Sequence, residues 1–245
     1  MKKKEDQGGK TWTKYSKNRD FMAKQKVLII APHMDDEALG CGGTICKHIR
    51  SGDYVSVIFV AHRIYDHKYD DSRNTIEKSH ALKARTKLGY KGLVSLDMPD
   101  ERLDGSVQDV IISLEKETSR ISPDTVYLPF RGDNHQDHRA VFDASRVVFR
   151  PSNKGSIKSI YMYEVPSSTE QSPPVTENAF IPNRYVNIGP FISKKLSAIA
   201  CYETEKRDFP NPRSLEAVRL LARKRGSESG FSYAEAFMVL RNIWD

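Results

Sequence analysis

The sequence predicts an α/β fold, in which a doubly wound and mostly parallel sheet is flanked by helices and followed by a C-terminal extension. Short apolar, β-branched runs alternate with segments of helical spacing, as they do in right-handed βαβ units. The first run, at 27–31, is apolar enough for a strand that is buried on both faces. Polar clusters directly follow two of the runs, where α/β sheets place ligand chemistry.

The predicted elements follow one another regularly as far as residue 148. Apolar runs predict strands at 27–31, 54–60, 93–96 and 125–129. Helical spacing predicts helices at 38–50, 74–88, 107–121 and 139–148. Gly52 and Gly89 are predicted to end the first two helices, because glycine readily adopts the left-handed conformation of a helix cap. A polar loop is predicted at 65–71 and a turn at 98–100.

The pattern is looser beyond residue 150, in the predicted extension. Strands are predicted at 156–165 and 183–188, helices at 194–205 and 214–224, and a loop rich in proline and serine at 167–174. Neither an internal repeat nor a linker is apparent. We therefore predict a basic N-terminal tail at 1–25 and a single domain at 26–245.

The charge of the chain is concentrated near its N-terminus. The net charge of the 245 residues is +7, and much of it comes from lysines and arginines in the first 26 residues. Such a run is typical of a solvated arm, and the alternative is weak contact with an anionic surface such as lipid headgroups. Outside the tail, basic residues are not interleaved with aromatic ones, so nucleic acid is not a predicted partner.

Cysteine usage and hydropathy favour a cytoplasmic protein. The three cysteines form no disulfide framework, which fits a reducing compartment. No apolar run approaches the roughly 18 residues of a membrane span, and no apolar stretch follows the basic start, so neither a membrane segment nor a signal peptide is expected. The sequence leaves open whether the protein is a homo-oligomer.

Two polar clusters are predicted to form one site. His33, Asp35, Asp36 and Glu37 follow the first strand, and the segment 131–138 follows the fourth. Parallel strands present their carboxyl ends at one edge of the sheet, so clusters about a hundred residues apart in sequence can meet there.

The residue types in the two clusters indicate a catalytic metal centre. His33 and Asp36 lie three positions apart at a turn entering a helix, and His138 completes a set that leaves a position for water. Zinc is the predicted metal, with iron(II), manganese or cobalt as substitutes. Asp35 is the candidate general base, because a carboxylate beside the metal is able to take a proton from water.

His135 and Asp137 are the further catalytic candidates. Their spacing indicates an imidazole oriented by a carboxylate, and an imidazolium there would stabilise an oxyanion or protonate a leaving amine. Together, these residues predict the attack of metal-bound hydroxide on a carbonyl.

Structural explanations compete with the functional ones at several positions. The acidic triplet at 35–37 also suits the first turn of a helix, and Asp133 is predicted to be a helix N-cap. Cys41 is predicted to pack against the start of the helix rather than bind metal. Arg131 is predicted to bind a carboxylate or phosphate of the substrate, with a surface ion pair as the alternative.

PHMDDEALGCGG at 32–43, together with HQDH at 135–138, resembles the PIG-L/LmbE family of metal-dependent N-deacetylases. The resemblance implies a Rossmann-like fold and a zinc-dependent hydrolysis of an acetamide on an amino sugar. It also implies roles for individual residues, which are metal ligation by His33, Asp36 and His138, general base catalysis by Asp35, and contact with the carbonyl by His135 and Asp137. Weaker similarities include Lys195-x-x-Ala198 and the segment at 233–237.

The residues around the predicted centre depart from the family pattern. Family members often carry an arginine and a glutamate early in the helix that ends in Leu-Gly, where this chain has Glu77 and His80. Arg73, one turn earlier, is the candidate that remains for binding substrate. Thr204-Glu205 replaces a common Ser-Gln pair.

The sequence thus predicts a deacetylase that acts on an N-acetylated amino sugar or a glycoconjugate precursor. Two alternatives stay open. The same site could hydrolyse another amide or acyl substrate, such as a modified antibiotic, or the chain could be a basic binding protein whose metal is structural.

Overall fold

The computed structural model of the protein describes residues 24–62, 71–151 and 157–244. The tail predicted at 1–25 lies outside the described residues except for its last two positions. The polar loop predicted at 65–71 likewise lies outside them, apart from residue 71.

The described residues form one seven-stranded sheet with the strand order β3-β2-β1-β4-β5-β7-β6. The strands are β1 (Lys26–Ala31), β2 (Tyr54–His62), β3 (Gly92–Pro99), β4 (Thr125–Pro129), β5 (Ser159–Tyr163), β6 (Arg184–Asn187) and β7 (Ala234–Asn242). The first five strands are parallel, and β7 is antiparallel to both β5 and β6. The strand order therefore switches direction between β1 and β4, where the two polar clusters emerge.

Six α-helices accompany the sheet in the described part of the chain. They are α1 (Asp36–Ser51), α2 (Asp71–Leu88), α3 (Val107–Ile121), α4 (Gln136–Val148), α5 (Ile192–Ile199) and α6 (Leu215–Ser227). Gly52 and Gly89, which follow the first two helices, both have a φ of 89°, as predicted for left-handed caps. None of these helices combines the length and apolarity that a membrane span requires.

Alternate residues of β1 face two separate cores. Val27 and Ile29 pack into the core that α1, α2, α5 and α6 cover. Leu28 and Ile30 pack into the core beneath α3 and α4 on the other face. All four side chains are fully buried, so the apolar run that predicted this strand reflects burial on both faces. The predicted doubly wound α/β fold is confirmed.

The structure corrects several predicted boundaries. The helix predicted at 139–148 begins earlier, at Gln136, so Asp137 and His138 lie in its first turn. The turn predicted at 98–100 is partly the end of β3. The helix predicted at 194–205 ends at Ile199, and β7 was not predicted. Its two ladders place β6 and β7 of the predicted extension within the sheet.

Candidate metal centre and active site

The two polar clusters meet at the carboxyl ends of β1 and β4, as the sequence predicts. The ring centroid of His33 lies 4.7 Å from that of His135 and 5.3 Å from that of His138. His33 follows β1 directly, whereas His138 is carried by the first turn of α4. The parallel pairing of β1 with β4 aligns these two ends.

The three predicted ligands lie close together. Asp36 Oδ2 lies 3.4 Å from His33 Nδ1 and 3.3 Å from His138 Nε2. One donor atom from each residue lies within 4.8 Å of the other two. The second oxygen of Asp36, Oδ1, is buried and forms no hydrogen bond with any described residue. Two imidazoles and a carboxylate are a donor set that suits zinc and related transition metals, so the residues fit a metal ion.

A further carboxylate supports each imidazole from its other ring nitrogen. Asp137 Oδ2 lies 2.9 Å from His33 Nε2, and Asp133 Oδ1 lies 3.3 Å from His138 Nδ1. The remaining nitrogens, Nδ1 of His33 and Nε2 of His138, are the ones that face Asp36. Such carboxylates fix the orientation and the tautomer of histidines that bind metal.

The supporting carboxylates are themselves held in place. Asp137 accepts hydrogen bonds from the backbone amides of Glu101 (2.6 Å) and Leu103 (3.2 Å), which follow β3. Asp133 accepts hydrogen bonds from the hydroxyl groups of Ser168 and Thr169, which follow β5. Segments that follow two further strands therefore fix the orientation of the candidate ligands.

This geometry changes two of the predicted roles. Asp133 was predicted to be a helix N-cap, but the N-cap residue of α4 is His135, whose Nδ1 accepts a hydrogen bond of 3.2 Å from the backbone amide of Asp137. Asp133 is instead turned toward His138. The Asp137 carboxylate bonds to His33 rather than to the ring of His135, because the helical turn directs it back toward β1.

The charges in the cluster balance one another. Burial lowers the pKa of His33, but hydrogen bonds to Asp137 and Asp36 outweigh burial and set it at about 9. Burial also lowers the pKa of His138, but Asp36 and Asp133 outweigh burial and raise this pKa to about 10. Burial raises the pKa of Asp36, yet the two histidines hold it well below its usual value. Without a metal, protons on His33 and His138 thus balance the charge of the carboxylates. A metal ion that binds there would displace these protons.

His135 differs from the other two histidines. Burial, together with the charges of His33 and His138, lowers the pKa of His135 to about 4. Its ring is therefore neutral at pH 7, whereas an imidazolium was predicted. Because Nδ1 accepts a hydrogen bond from the backbone, the proton of the neutral ring resides on Nε2.

Asp35, the candidate base, occupies a strained position between β1 and α1. Its backbone φ of 128° is rare for a non-glycine residue. The residue is only 3% exposed, and burial raises the pKa of its carboxyl group to about 7, against the opposing effect of Arg213. Oδ2 lies 3.0 Å from Arg213 Nη1, while Oδ1 is buried and forms no hydrogen bond with any described residue.

A cavity of about 270 Å³ opens over these groups. His33, Asp35, His135 and His138 line its floor, and its walls include polar side chains from four further segments, namely Asn74, Glu77, Asp100, Ser167 and Arg213. Its volume suits a small polar ligand, and its walls offer both donors and acceptors.

The predicted substrate-binding arginines lie outside this lining, and another arginine lies within it. Arg131 is exposed and is not among the residues that line the cavity. Arg73 also lies outside the lining and binds Glu77 (2.9 Å) and Glu205 (3.4 Å) instead. Arg213 was not predicted, since no local motif surrounds it.

Comparisons with known proteins place the chain among deacetylases. The sequence model of the family described as PIG-L: GlcNAc-PI de-N-acetylase matches residues 28–149. The chain is 31% identical over 156 residues to the uncharacterized deacetylase YaiS of Escherichia coli K12, which covers 59% of this chain and 76% of that protein. It is 27% identical to the diacetylchitobiose deacetylase of Thermococcus kodakarensis, over 93% of this chain and 87% of that one.

A solved structure shares the fold. The crystal structure of the conserved protein TT1542 from Thermus thermophilus superposes with a TM-score of 0.72 at 23% identity, covering 90% of this chain and 97% of that one. Because the family match spans both polar clusters and the similarity to YaiS extends over 76% of that deacetylase, the chain belongs to the PIG-L family of de-N-acetylases.

Proposed function

We propose that this deacetylase hydrolyses the acetamide of an N-acetylated amino sugar or glycoconjugate precursor, and that it does so with a divalent metal, zinc in the first instance. One observation carries the proposal. His33, His138 and Asp35 line one cavity, the two histidines share a donor set with the buried Asp36, and Asp35 carries an unpartnered oxygen, so a metal site and a base lie beside the same cavity. The diacetylchitobiose deacetylase relative supports the choice of an amino sugar.

His33, Asp36 and His138 would hold the metal, and Asp133 and Asp137 would keep the two imidazoles in place. When bound, a divalent metal supplies Lewis acidity to a carbonyl oxygen and lowers the pKa of water. Iron(II), manganese and cobalt suit the same nitrogen and oxygen donors.

Asp35 is proposed to accept the proton of the attacking water. As the water oxygen bonds to the acetamide carbon, the proton passes to Oδ1, the oxygen that forms no hydrogen bond with a described residue. A pKa of about 7 suits this role at neutral pH, because a base of that strength is largely available and still holds the proton well. The carbon–nitrogen bond then breaks, and the proton moves to the departing amine, so the products are acetate and a free amino group.

His135 is proposed to stabilise the charge that develops on the carbonyl oxygen. The ring lines the cavity, and its neutral form carries a proton on Nε2. A neutral imidazole is able to donate a hydrogen bond to an oxyanion without first being protonated. This proposal keeps the predicted oxyanion role of His135 and replaces the predicted charge state.

An acetate-release screen tests this function. The purified protein would be analysed for metal and then assayed on N-acetyl sugars, their oligosaccharides, nucleotide sugars and acylated glycopeptide antibiotics. We expect acetate from at least one N-acetylated amino sugar and loss of that activity on chelation. Added zinc, iron(II), manganese or cobalt should restore it. Activity that survives complete removal of metal would contradict the proposal, and acetate from the antibiotics alone would reassign the substrate.

A further inference from the structure

Arg213 is the ion-pair partner of the candidate base, and it comes from a part of the chain outside both polar clusters. It lies between the helices α5 and α6, 178 positions after Asp35 in sequence. Its Nη1 lies 3.0 Å from Asp35 Oδ2. Of the described side chains, Arg213 is the one that pairs with Asp35. The following inference rests on the proposed role of Asp35.

We propose that Arg213 is a positioning residue that holds Oδ2 of Asp35, so that Oδ1 is left as the proton acceptor. The two oxygens of this carboxylate differ in the structure. One is engaged by the guanidinium group, while the other is buried without a hydrogen bond from any described residue. A carboxylate that is fixed at one oxygen presents the other in a constant direction.

The local backbone gives Asp35 little other support. Asp35 is the N-cap residue of α1, yet its side chain makes no capping hydrogen bond with the helix. Its φ of 128° is also rare for a residue other than glycine. The orientation of the carboxylate therefore depends on tertiary contacts, and Arg213 provides the charged one.

The guanidinium group is itself held at several atoms. Arg213 Nε donates a hydrogen bond of 2.8 Å to Ser167 Oγ, and Nη1 lies 3.2 Å from Glu205 Oε2. The other oxygen of Glu205 lies 3.4 Å from Arg73 Nη2. A planar fork of donors is able to serve three partners at once, which the single ammonium group of lysine does less well.

The network gives residues in three separate segments a shared role. Arg73 Nε also lies 2.9 Å from Glu77 Oε1, so alternating charges run from the cavity wall at Glu77 to the base at Asp35. Under this proposal, Arg73, which was predicted to bind substrate, acts at a distance by fixing Glu205. Arg213 lines the cavity but contributes through Asp35.

Kinetics of Arg213→Ala and Arg213→Lys test the proposal. We expect kcat of the alanine variant to fall by about 100-fold, the effect of misplacing a reacting group by roughly 1 Å. Its KM and metal content should stay near those of the wild type, and added guanidinium should restore part of kcat. The kcat of the lysine variant should lie between those of the wild type and the alanine variant. Arg219→Ala is the matched control, because Arg219 lies on α6, the helix that follows Arg213, and is exposed.

Other outcomes would overturn the proposal. A raised KM with unchanged kcat would make Arg213 a substrate ligand. A fall in kcat that follows a lowered melting temperature, without rescue by guanidinium, would make it a stabilising residue only.

A crystal structure of Arg213→Ala separates this proposal from the proposed function. Even if the wild type released no acetate from any substrate, the Asp35 carboxylate should be reoriented in the variant. A carboxylate that keeps its wild-type position within about 0.5 Å, the tolerance of a productive geometry, would refute the positioning role.

Discussion

Asp133 Oδ1 lies 3.3 Å from His138 Nδ1, on the ring nitrogen opposite the one that faces Asp36. Both side chains are almost completely buried. The contact joins the candidate metal centre to the loop after β5, because Asp133 also binds Ser168 and Thr169. Orientation of a candidate ligand therefore depends on residues that no metal-binding motif includes.

Replacement of Asp133 by asparagine should weaken metal binding. The amide keeps the shape of the side chain but removes the charge that fixes the tautomer of His138, so we expect a loss of about 10- to 100-fold in metal affinity. Competition with a chromophoric chelator measures this directly. Asp143→Asn is the control, since Asp143 lies on α4 with His138 and its side chain is 61% exposed. Equal affinities in the two variants would contradict the role of Asp133.

Lys195→Met should destabilise the protein strongly. Lys195 Nζ lies 2.6 Å from Glu235 Oε1 and donates to the carbonyl of Leu39, while Glu235 accepts from the amide of Gly43. The pair thus connects β7 and α5 to the first turns of α1. Removing one partner of a buried pair leaves an uncompensated charge and costs about 3–5 kcal/mol.

Urea denaturation measures that loss as a change in the free energy of unfolding. Lys194→Met is the control, because Lys194 is the neighbouring residue, its side chain is exposed, and it is not part of the pair. If both variants unfolded at the same urea concentration, the ion pair would not stabilise α1.

Gly40→Ala should also be destabilising, for a steric reason. A Cβ at this position would overlap the ring of Tyr163, whose hydroxyl donates a hydrogen bond of 2.7 Å to the carbonyl of Ile30. Overpacking of a buried site typically costs about 1–3 kcal/mol. Gly105→Ala serves as the comparison, because a Cβ there meets no atom within 4 Å. A melting temperature unchanged by Gly40→Ala would show that the ring can move.

His48 should make stability depend on pH. Burial lowers the pKa of His48, although Nδ1 lies 2.7 Å from Asp53 Oδ2 and Nε2 lies 3.0 Å from Tyr127 Oη. The unfolded chain, with a histidine pKa of about 6.5, then binds a proton more readily than the folded one. The contribution of His48 is therefore fully present above that pH and is lost as the pH falls through 6.5 toward the folded-state pKa.

The free energy of unfolding of the wild type and of His48→Gln, measured between pH 8 and pH 5, tests this sign. As the pH falls, the free energy of unfolding of the wild type should decrease more than that of the variant. A difference that is constant across the range would mean that His48 has the same pKa in both states.

The sequence was sufficient to predict the elements that carry the two polar clusters. The strands β1, β2 and β4 are buried on both faces, so their runs are almost entirely apolar, with the buried Ser56 as a polar member of β2. The strand β7 was missed because Glu235 interrupts the apolar pattern at the buried end of the strand. The carboxylate of Glu235 is buried as the ion-pair partner of Lys195, which is distant in sequence.

The ligand set His33, Asp36 and His138 could be proposed from sequence because local spacing and one topological rule bring it together. The contacts of Asp133 and Arg213 could not be predicted in the same way. Asp133 has a local alternative as a helix cap, and its role depends on hydroxyl groups that follow β5. Arg213 is joined to Asp35 only by the packing of the C-terminal segments, which no spacing encodes.

The most direct test of the proposed function is the rate of acetate release by Asp35→Asn at saturating metal, with its metal content measured in parallel. Asparagine fills the same space but cannot accept a proton from water, so acetate release should fall by at least about 100-fold, within the range attributed to general bases. Metal content should remain that of the wild type, because Asp35 is not among the grouped ligand residues. A metal-loaded Asp35→Asn variant that releases acetate at the wild-type rate would contradict the account.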